Sequence, residues 1–355
     1  MKSLAKKTVY VGLSGGVDSS VAAALLLEQG YHVVGVFIKV WHPDFMVCNW
    51  EQERVDAMRV AAHLGIPFLT CDAEAVYRDA VANYFIESYR NGLTPNPDVL
   101  CNKEVKFGVF FDFARAQGAD YVATGHYAQV EHSGNNPILK RGVDNTKDQS
   151  YFLWTLSPQQ LQHTLFPVGH LPKSTVRDLA KKFNLPTASK KDSQGICFLG
   201  HVDIPDFLSH YINLEPGKVL LNDSTVIGEH KGALVYTIGQ RHGFTITNKA
   251  QAGKIFYVVQ KNLADNTLVV DQAFPQTTLG NEITLYNCIW REQIVSGDTL
   301  EAQTRYRQTP FKVVVQSISN NHCAVSPVNA TETPAIGQSC VLYKGEVCIG
   351  GGIID

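Results

Sequence analysis

The run VYVGLSGGVDSSVAAALLLEQG, Val9 to Gly30, sets a glycine- and serine-rich turn between an apolar strand-like stretch and an apolar helix-like one. Gly12, Gly15 and Gly16 permit backbone angles closed to other residues. A helix starting near Val17 would aim unpaired N–H groups and its positive dipole end into the same space. Ser14, Ser19 and Ser20 add hydroxyl donors, and Asp18 offers a carboxylate suited to a magnesium ion. The chemistry this favours is phosphate binding, since an ordinary strand-to-helix turn needs only one glycine. The run ends without Gly-Lys-Ser/Thr and contains no G-x-G-x-x-G, so it is neither a Walker loop nor a dinucleotide fingerprint.

Two of the eight cysteines stand apart. Cys101 lies in TPNPDVLCNKEVKFG, where Pro95 and Pro97 favour an extended chain and a helix is expected to begin just beyond Asn102. A thiol near a helix N-terminus, with Lys103 and Lys106 close in sequence, is expected to have a lowered pKa. Asp98 opposes that effect and reads as a proton carrier or a contact to a base rather than as an activator. Cys197 lies in SKKDSQGICFLG, between Gly195 and Gly200 and after Lys190, Lys191 and Asp192, a setting that fits a mobile, reactive loop. The other six, Cys48, Cys71, Cys288, Cys323, Cys340 and Cys348, keep the ordinary reading of small buried hydrophobes. No C-x-x-C is present to hold zinc or an iron–sulfur cluster.

These residues need a scaffold. Val33 to Ile38 is a β-branched run, Gln52 to Leu64 has helical spacing, and Ile66 to Cys71 reads as a short buried strand. Helices over Ala73 to Arg90 and Lys103 to Gln117 and a strand over Asp120 to Thr124 follow. Such alternation calls for an α/β domain with a doubly wound parallel sheet, whose ligands sit at the carboxyl ends of the strands. Ser157-Pro158 and Ser174 read as helix caps, with a last helix near Asp203 to Tyr211. After Glu215-Pro216-Gly217 short alternating runs such as Lys254 to Gln260, Thr267 to Asp271, Phe311 to Ile318 and Ser339 to Tyr343, separated by Gly, Asn and Pro, read as β-strands. The expected organisation is a catalytic domain over 1–209, a small mostly-β central domain over 210–275 and a C-terminal β-barrel over 276–355.

Composition adds bounds. A 355-residue chain that is 45% hydrophobic and 18% charged is ordinary for a globular protein with a real core. A net charge of −2 gives no global pull toward nucleic acid, so any such binding must rest on a local basic face. No apolar run approaches a membrane span and the first residues do not make a signal peptide, so the expected compartment is the cytoplasm. Eight cysteines in a chain of this length are too few for a disulfide scaffold.

SGGVDSS resembles the pyrophosphate loop of the ATP pyrophosphatases, which split ATP between the α and β phosphates and leave AMP on a substrate oxygen. Taken with FIKVW, LGIP, TPNPDVLCNKEVKFG, ATGHYA, KDQSYFLW, DSQGICFLG, YTIGQRHG, TRYRQ and GEVCIGGG, in this order, it is similar to the bacterial tRNA-specific 2-thiouridylase family over nearly the whole chain. The resemblance implies ATP-dependent replacement of O2 by sulfur on the wobble uridine of the lysine, glutamate and glutamine tRNAs. It implies ATP and Mg2+ as cofactors, with a sulfur-carrier protein or cysteine desulfurase as persulfide donor. The protein is expected to act as a monomer.

Residue by residue, the resemblance assigns ATP to Gly12, Leu13, Ser14, Gly15, Gly16, Val17, Asp18 and Ser19, together with Ile38 and Gly125; Asp18 is the expected metal ligand. It assigns the target base to Asn96, Pro97 and Asp98, and tRNA contacts to His126, Lys147, Asp148, Gln149, Arg305, Tyr306 and Gln338. Cys101 corresponds to the nucleophile and Cys197 to the persulfide carrier, and the two can form a disulfide in one state. The family often has methionine where FIKVW has Ile38, which keeps an apolar contact near the base. A disulfide needs Cα atoms within about 7 Å, so the Cys197 segment is expected to move toward Cys101. Read from the residues alone, a lone histidine such as His126 is more often an interior one, but following Thr124-Gly125 at an expected strand end it is poised for a ligand; Lys173, Arg177, Lys181 and Lys182 are more often solvated surface.

Two rivals remain at the level of sequence. An ammonia-using adenylating synthetase shares the phosphate loop but has no need of paired thiols, and a non-catalytic ATP- or RNA-binding module would release no pyrophosphate. An iron–sulfur-dependent thiolase is disfavoured by the missing C-x-x-C.

Overall fold

The computed structural model describes residues 6–46, 50–132, 134, 136–192, 195, 197, 203–277 and 281–355; Cys48 and Gly200 lie outside them. The described residues divide between two compact units. One is drawn from Met1–Val81, Pro97–Gly200 and Tyr343–Gly350, the other from Ala82–Asn96, His201–Leu342 and Gly351–Asp355.

In the first unit, strands β1 (Thr8–Gly12), β2 (His32–Lys39), β3 (Phe68–Asp72) and β4 (Tyr121–Ala123) precede a hairpin of β5 (Ala128–Glu131) and β6 (Ile138–Arg141), and β7 (Thr164–Leu165) follows it. The sheet runs β3-β2-β1-β4-β7 with every pairing parallel. This is the doubly wound order expected from the alternation, with the chain turning outward on both sides of β1. Val9, Val11 and Leu13 pack under Ala57, Val60 and Ala61 of helix α2 (Trp50–Leu64), while Val17, Val21 and Ala22 of helix α1 (Val17–Glu28) pack with Tyr127, Val168, Val176 and Ala180. Ala23 and Leu26 of α1 belong to the first of these cores. The nearly all-apolar VAAALLL segment is thus explained by a helix buried on more than one side.

The helix carrying Cys101 begins earlier than expected. Pro97–Leu100 is already helical, Cys101–Val109 continues it as a wider π-helical stretch, and Phe110–Ala116 completes it. The prolines of TPNP suggested an extended loop, but Pro97 has a fixed φ that suits a first helical position. Cys101 therefore sits a turn inside the helix instead of ahead of it. A second π-helical stretch, Tyr77–Ala82, interrupts the helical run Glu74–Arg90. Ser157 caps its helix with a reciprocal pair to Gln160 as the sequence predicts, but Ser174 caps nothing: Pro172 precedes the helix Lys173–Lys182, and the Lys173 N–H donates to Asp144 Oδ2 at 3.0 Å.

Beyond Asp203, which caps the short helix Ile204–Ser209, the chain is β-rich. Strands β8 (Gly217–Leu220), β9 (Val226–His230), β10 (Phe244–Ile246), β11 (Tyr257–Asn262) and β12 (Thr267–Asp271) form a small sheet ordered β10-β9-β8-β12-β11. The short strand β13 (Gln276–Thr277) pairs with β18 (Thr331–Glu332). Strands β14 (Ile283–Trp290), β15 (Thr299–Gln303), β16 (Phe311–Ile318), β17 (His322–Pro327), β19 (Ser339–Lys344) and β20 (Val347–Ile354) run β14-β17-β16-β15-β19-β20, and β14 pairs again with β20 to close a six-stranded barrel. Among the described residues no helix is long and apolar enough to cross a membrane.

Candidate active site

β1 delivers the chain into a turn held by its own hydroxyls. Ser19 Oγ receives the Ser14 N–H at 3.3 Å and lies 3.3 Å from Ser14 Oγ, and Ser20 Oγ donates to the Gly16 carbonyl at 2.6 Å. Gly15 has a φ of +69°, and a Cβ there would stand 2.7 Å from the Glu53 carbonyl oxygen of α2, so both its angle and its neighbour require glycine. Gly16 precedes α1 in an extended conformation with no side chain to cap it. The first-turn N–H groups are left to a ligand, the arrangement that favours anions. Gly125, at the end of β4, packs directly on that turn: a Cβ would lie 2.6 Å from Ser19 N and 2.7 Å from the Asp18 carbonyl carbon. Its glycine thus serves close packing on the phosphate loop. Ile38 is buried at the end of β2, where a Cβ on Gly12 would only touch its Cδ1 at 3.6 Å.

Asp18 does not stand open to a metal. Lys173 Nζ lies 2.6 and 2.8 Å from its two oxygens, and Tyr127 OH donates to Oδ1 at 2.7 Å. No cluster of three or more His, Cys, Asp or Glu side chains suited to a metal occurs among the described residues. The Asp18 carboxylate fits a magnesium ion that arrives with phosphate oxygens of its own. Asp18 would hold that ion in exchange for Lys173.

The two singled-out cysteines meet. Cys101 Sγ lies 3.5 Å from Cys197 Sγ across 96 positions of sequence, both as free thiols. The movement expected of the Cys197 segment is therefore not needed to bring the sulfurs into contact. Three groups frame the pair: Asp98 Oδ1 accepts from the Cys197 N–H at 2.9 Å, Tyr77 OH donates to the Cys197 carbonyl at 2.9 Å, and the half-buried Lys106 carries a charge beside both sulfurs. Lys103, by contrast, pairs outward with Glu104 at 2.9 Å.

The charge preference differs from the expectation for Cys101. Burial, at 1% exposure, pushes its thiol well above the ordinary value, with the neighbouring Cys197 sulfur acting in the same direction. Cys197 is lowered, first because the Cys101 thiol donates to it; burial and Asp98 oppose the shift, and Lys106 adds to the lowering. Of the two thiols, Cys197 is the more readily ionised. Burial works against the Lys106 ammonium, but the two sulfurs and Asp98 hold its pKa above normal. Burial raises Asp98 despite the opposing Cys197 N–H and Lys106. Burial likewise keeps Tyr77 a neutral donor. Tyr77 was not singled out in the sequence, where nothing ties it to a residue 120 positions away.

Several residues assigned to tRNA by resemblance do structural work here. His126 is 7% exposed, shares a 2.6 Å hydrogen bond with Thr124 Oγ1 and packs against Phe107 and Phe166. Burial, aided by Lys106, keeps it neutral, so it is an interior histidine rather than a surface contact. Asp148 accepts from the N–H groups of Gly142 and Ser150, Gln149 Oε1 accepts from the Tyr127 N–H, and Lys147 pairs with Asp192 at 2.9 Å. Their polar groups already shape the loop on which they sit. Gln338 Nε2 donates to the carbonyls of Thr94 and Pro95, both at 3.1 Å, and so fixes the segment just before Asn96. Arg305 stacks 5.5 Å from the Phe274 ring centroid and lines a cleft with Gln276, Tyr306, Arg307 and Thr331. Arg307 is exposed and its guanidinium lies 5.1 Å from the Tyr306 ring centroid, a cation–aromatic surface suited to single-stranded RNA.

Three family models match in series: a tRNA methyl transferase HUP domain over residues 7–201, a tRNA methyl transferase PRC-barrel domain over 205–272, and an aminomethyltransferase β-barrel domain over 282–354. Among curated proteins, the chain is 46% identical over 352 residues to the tRNA-specific 2-thiouridylase MnmA of Listeria monocytogenes, covering 98% of this chain and 94% of that one. It is 45% identical over 353 residues to the MnmA of Bacillus subtilis, with the same coverage of each chain. The MnmA of Oceanobacillus iheyensis is 46% identical over 361 residues, 100% of this chain and 96% of the relative. The three models matched in series and this level of identity over nearly the whole chain place it in the tRNA-specific 2-thiouridylase family.

Proposed function

We propose that this chain replaces O2 of the wobble uridine in the lysine, glutamate and glutamine tRNAs by sulfur, consuming ATP and releasing AMP and pyrophosphate. The observation that carries the reading is the 3.5 Å approach of Cys101 and Cys197 in the domain that carries a glycine-rich phosphate loop. The C2 carbonyl of uracil is urea-like and has no leaving group, so its oxygen must first become a phosphate ester. The N–H groups at the start of α1 bind the departing pyrophosphate, and Asp18 would hold a Mg2+ ion, which would supply charge neutralisation there.

A persulfide on Cys197, supplied by a sulfur-carrier protein or a cysteine desulfurase, then provides the sulfur. Its terminal sulfur adds to C2 and AMP leaves with the old oxygen. Cys101 next attacks the inner sulfur of Cys197; the S–S bond to the substrate breaks, its electron pair stays on the new thiocarbonyl sulfur, and a Cys101–Cys197 disulfide forms. A variant of the same step, in which Cys101 first releases hydrosulfide from Cys197, ends in the same disulfide. Two electrons from an external thiol reset the pair. The raised pKa of Asp98 fits a group that carries a proton between thiol and base. Arg305 and Tyr306 contribute to tRNA binding through the barrel-side cleft.

Mass spectrometry of anticodon nucleosides after incubation with ATP, magnesium and a persulfide source tests the proposal. Wild type is expected to give 2-thiouridine and stoichiometric AMP, and Cys197→Ser to give neither thiouridine nor disulfide. An equal thiouridine yield from Cys197→Ser would remove that residue from the mechanism. An ammonia-using synthetase would be indifferent to the same substitution.

A further inference from the structure

The phosphate loop contains no lysine, yet an ammonium stands at its mouth. Lys173, the first residue of the helix Lys173–Lys182, reaches both Asp18 oxygens and also Asp192 Oδ1, at 2.9 Å. Its side chain is only 13% exposed, and Nζ lies 5.5 Å from the Tyr127 ring centroid, whose hydroxyl donates to the same Asp18. Tyr127 OH, the two carboxylates and the Asp144 oxygen on the Lys173 N–H fix where this side chain can go. Asp192 in turn gathers Lys147 at 2.9 Å and Arg177, and Arg177 also donates to the Ala188 carbonyl at 3.4 Å. Burial would raise the Asp192 pKa, but the Lys147 and Lys173 ammonium groups hold it low, so it is a carboxylate throughout the ordinary pH range. Asp192 stands five positions before Cys197 in the chain.

One ammonium therefore joins the phosphate loop to the stretch of chain that leads into the sulfur-carrying residue. We propose that Lys173 is a positioning residue that couples nucleotide loading to the reactivity of Cys197. The coupling rests on the functional reading above, since it requires ATP at the loop. A triphosphate entering at the start of α1 brings several negative charges to within reach of Lys173 and competes with both carboxylates for it. Once the ammonium turns to the phosphates, Asp18 is released toward magnesium and Asp192 loses one of its three cations. The hold on the chain ahead of Cys197 weakens, and the thiol becomes more accessible when, and only when, an activated oxygen can be made. A ligand shifts such an equilibrium only by its different affinity for the two arrangements, and Lys173 supplies that difference.

The test is the alkylation rate of Cys197 by iodoacetamide, read on its own peptide by mass spectrometry, with and without a non-hydrolysable ATP analogue. Analogue binding is measured in parallel by calorimetry. Wild type is expected to alkylate several-fold faster with the analogue. Lys173→Met and Asp192→Asn, which cut the bridge from its two sides, are expected to alkylate at the fast rate in both conditions, while Lys173→Arg restores the dependence in part. Two substitutions keep the test decisive should one variant fail to fold. An analogue-dependent change of wild-type size in a folded bridge variant would overturn the coupling, as would an unchanged wild-type rate when the analogue is bound. Failure of wild type to bind the analogue at all would instead overturn the functional reading, and the coupling with it.

Discussion

Asp98 holds Cys197 by its backbone: the carboxylate accepts the Cys197 N–H at 2.9 Å across 99 positions of sequence. One helical turn separates Asp98 from Cys101, so a single segment carries one thiol of the pair and anchors the backbone of the other. Asp98→Ala removes the acceptor and leaves the Cys197 N–H unpaired. Asp98→Asn keeps an acceptor oxygen but not the proton-carrying group. If anchoring is the dominant role, Asn retains most of the activity and Ala loses it; if proton transfer dominates, both lose turnover while ATP binding persists. Single-turnover thiolation beside calorimetric ATP binding separates the two, and we expect both variants to fall by tenfold or more in the first and by little in the second.

The thiols of the pair are expected to titrate in opposite directions. Cys197 is lowered by the Cys101 donor and by Lys106, so its thiolate persists to a lower pH than that of a free cysteine, while burial keeps Cys101 protonated. Since alkylation follows the thiolate, labelling of Cys197 should reach half its plateau below the pH at which free cysteine does and fall as the pH drops further. Cys101 should label poorly across the neutral range. Lys106→Gln removes a nearby cation and is expected to move the Cys197 midpoint upward. Peptide-resolved labelling against pH measures all three.

The sequence carries the sheet and the loop clearly, because both are local. A β-branched run, a glycine turn and an apolar helix are contiguous in Val9 to Gly30, and the expected strand over Thr267–Asp271 is the observed one to the residue. What it could not carry is contact at long range. Tyr77 meets Cys197 across 120 positions and Lys173 meets Asp18 across 155; nothing in the chain marks Tyr77, and Lys173 reads there only as one of a run of basic residues on a solvated helix face. The charge state of Cys101 was misjudged for a related reason: lysines counted along the chain say nothing of burial, and Lys103 points to Glu104 while the thiol is enclosed. His126 shows the reverse. Its bland reading as an interior histidine, set aside for the resemblance, is the one its 2.6 Å bond to Thr124 supports.

Gly12 and Gly125 both border the phosphate loop, but they differ in what surrounds them. At Gly125 a methyl group would stand 2.6 Å from Ser19 N, against backbone that cannot yield without shifting the first turn of α1. At Gly12 its nearest neighbours would be Ile38 Cδ1 and Phe110 Cε1 at 3.6 Å, an ordinary contact. Gly125→Ala is therefore expected to lower stability by about 1–3 kcal/mol as an overpacking change and to weaken ATP binding by displacing the N–H groups. Gly12→Ala should come close to wild type in stability. Denaturant midpoints with calorimetric ATP titration compare the two.

Gln338 was assigned to tRNA by resemblance, and its amide is spent on the carbonyls of Thr94 and Pro95. Gln338→Ala would leave two carbonyls short of a donor, at a cost of about 1–3 kcal/mol for each that stays unhydrated. The segment they fix runs directly into Asn96-Pro97-Asp98. We expect the variant to bind tRNA with a modest loss but to thiolate it with a larger one, because the base-facing segment is less ordered. Filter binding beside single-turnover kinetics distinguishes this from a direct tRNA contact, which would weaken binding and leave the step after it unchanged.

Tyr77→Phe offers the cleanest probe of the sulfur pair, because it removes one oxygen from a buried ring and leaves its packing in place. The lost hydrogen bond runs to the Cys197 carbonyl, not to either sulfur, so the substitution alters where Cys197 sits without changing the chemistry of a thiol. A neutral hydrogen bond contributes about 1 kcal/mol, which corresponds to roughly fivefold in the population of the close-contact arrangement. Disulfide formation between Cys101 and Cys197 under a fixed glutathione buffer should slow by about that factor, and single-turnover thiolation should slow with it. The Cys197 pH midpoint should stay where it is, since Tyr77 stays neutral and is not among the groups that lower it. A shifted midpoint at unchanged disulfide kinetics would mean that Tyr77 acts on the thiolate itself and that its bond to the carbonyl does not position the loop.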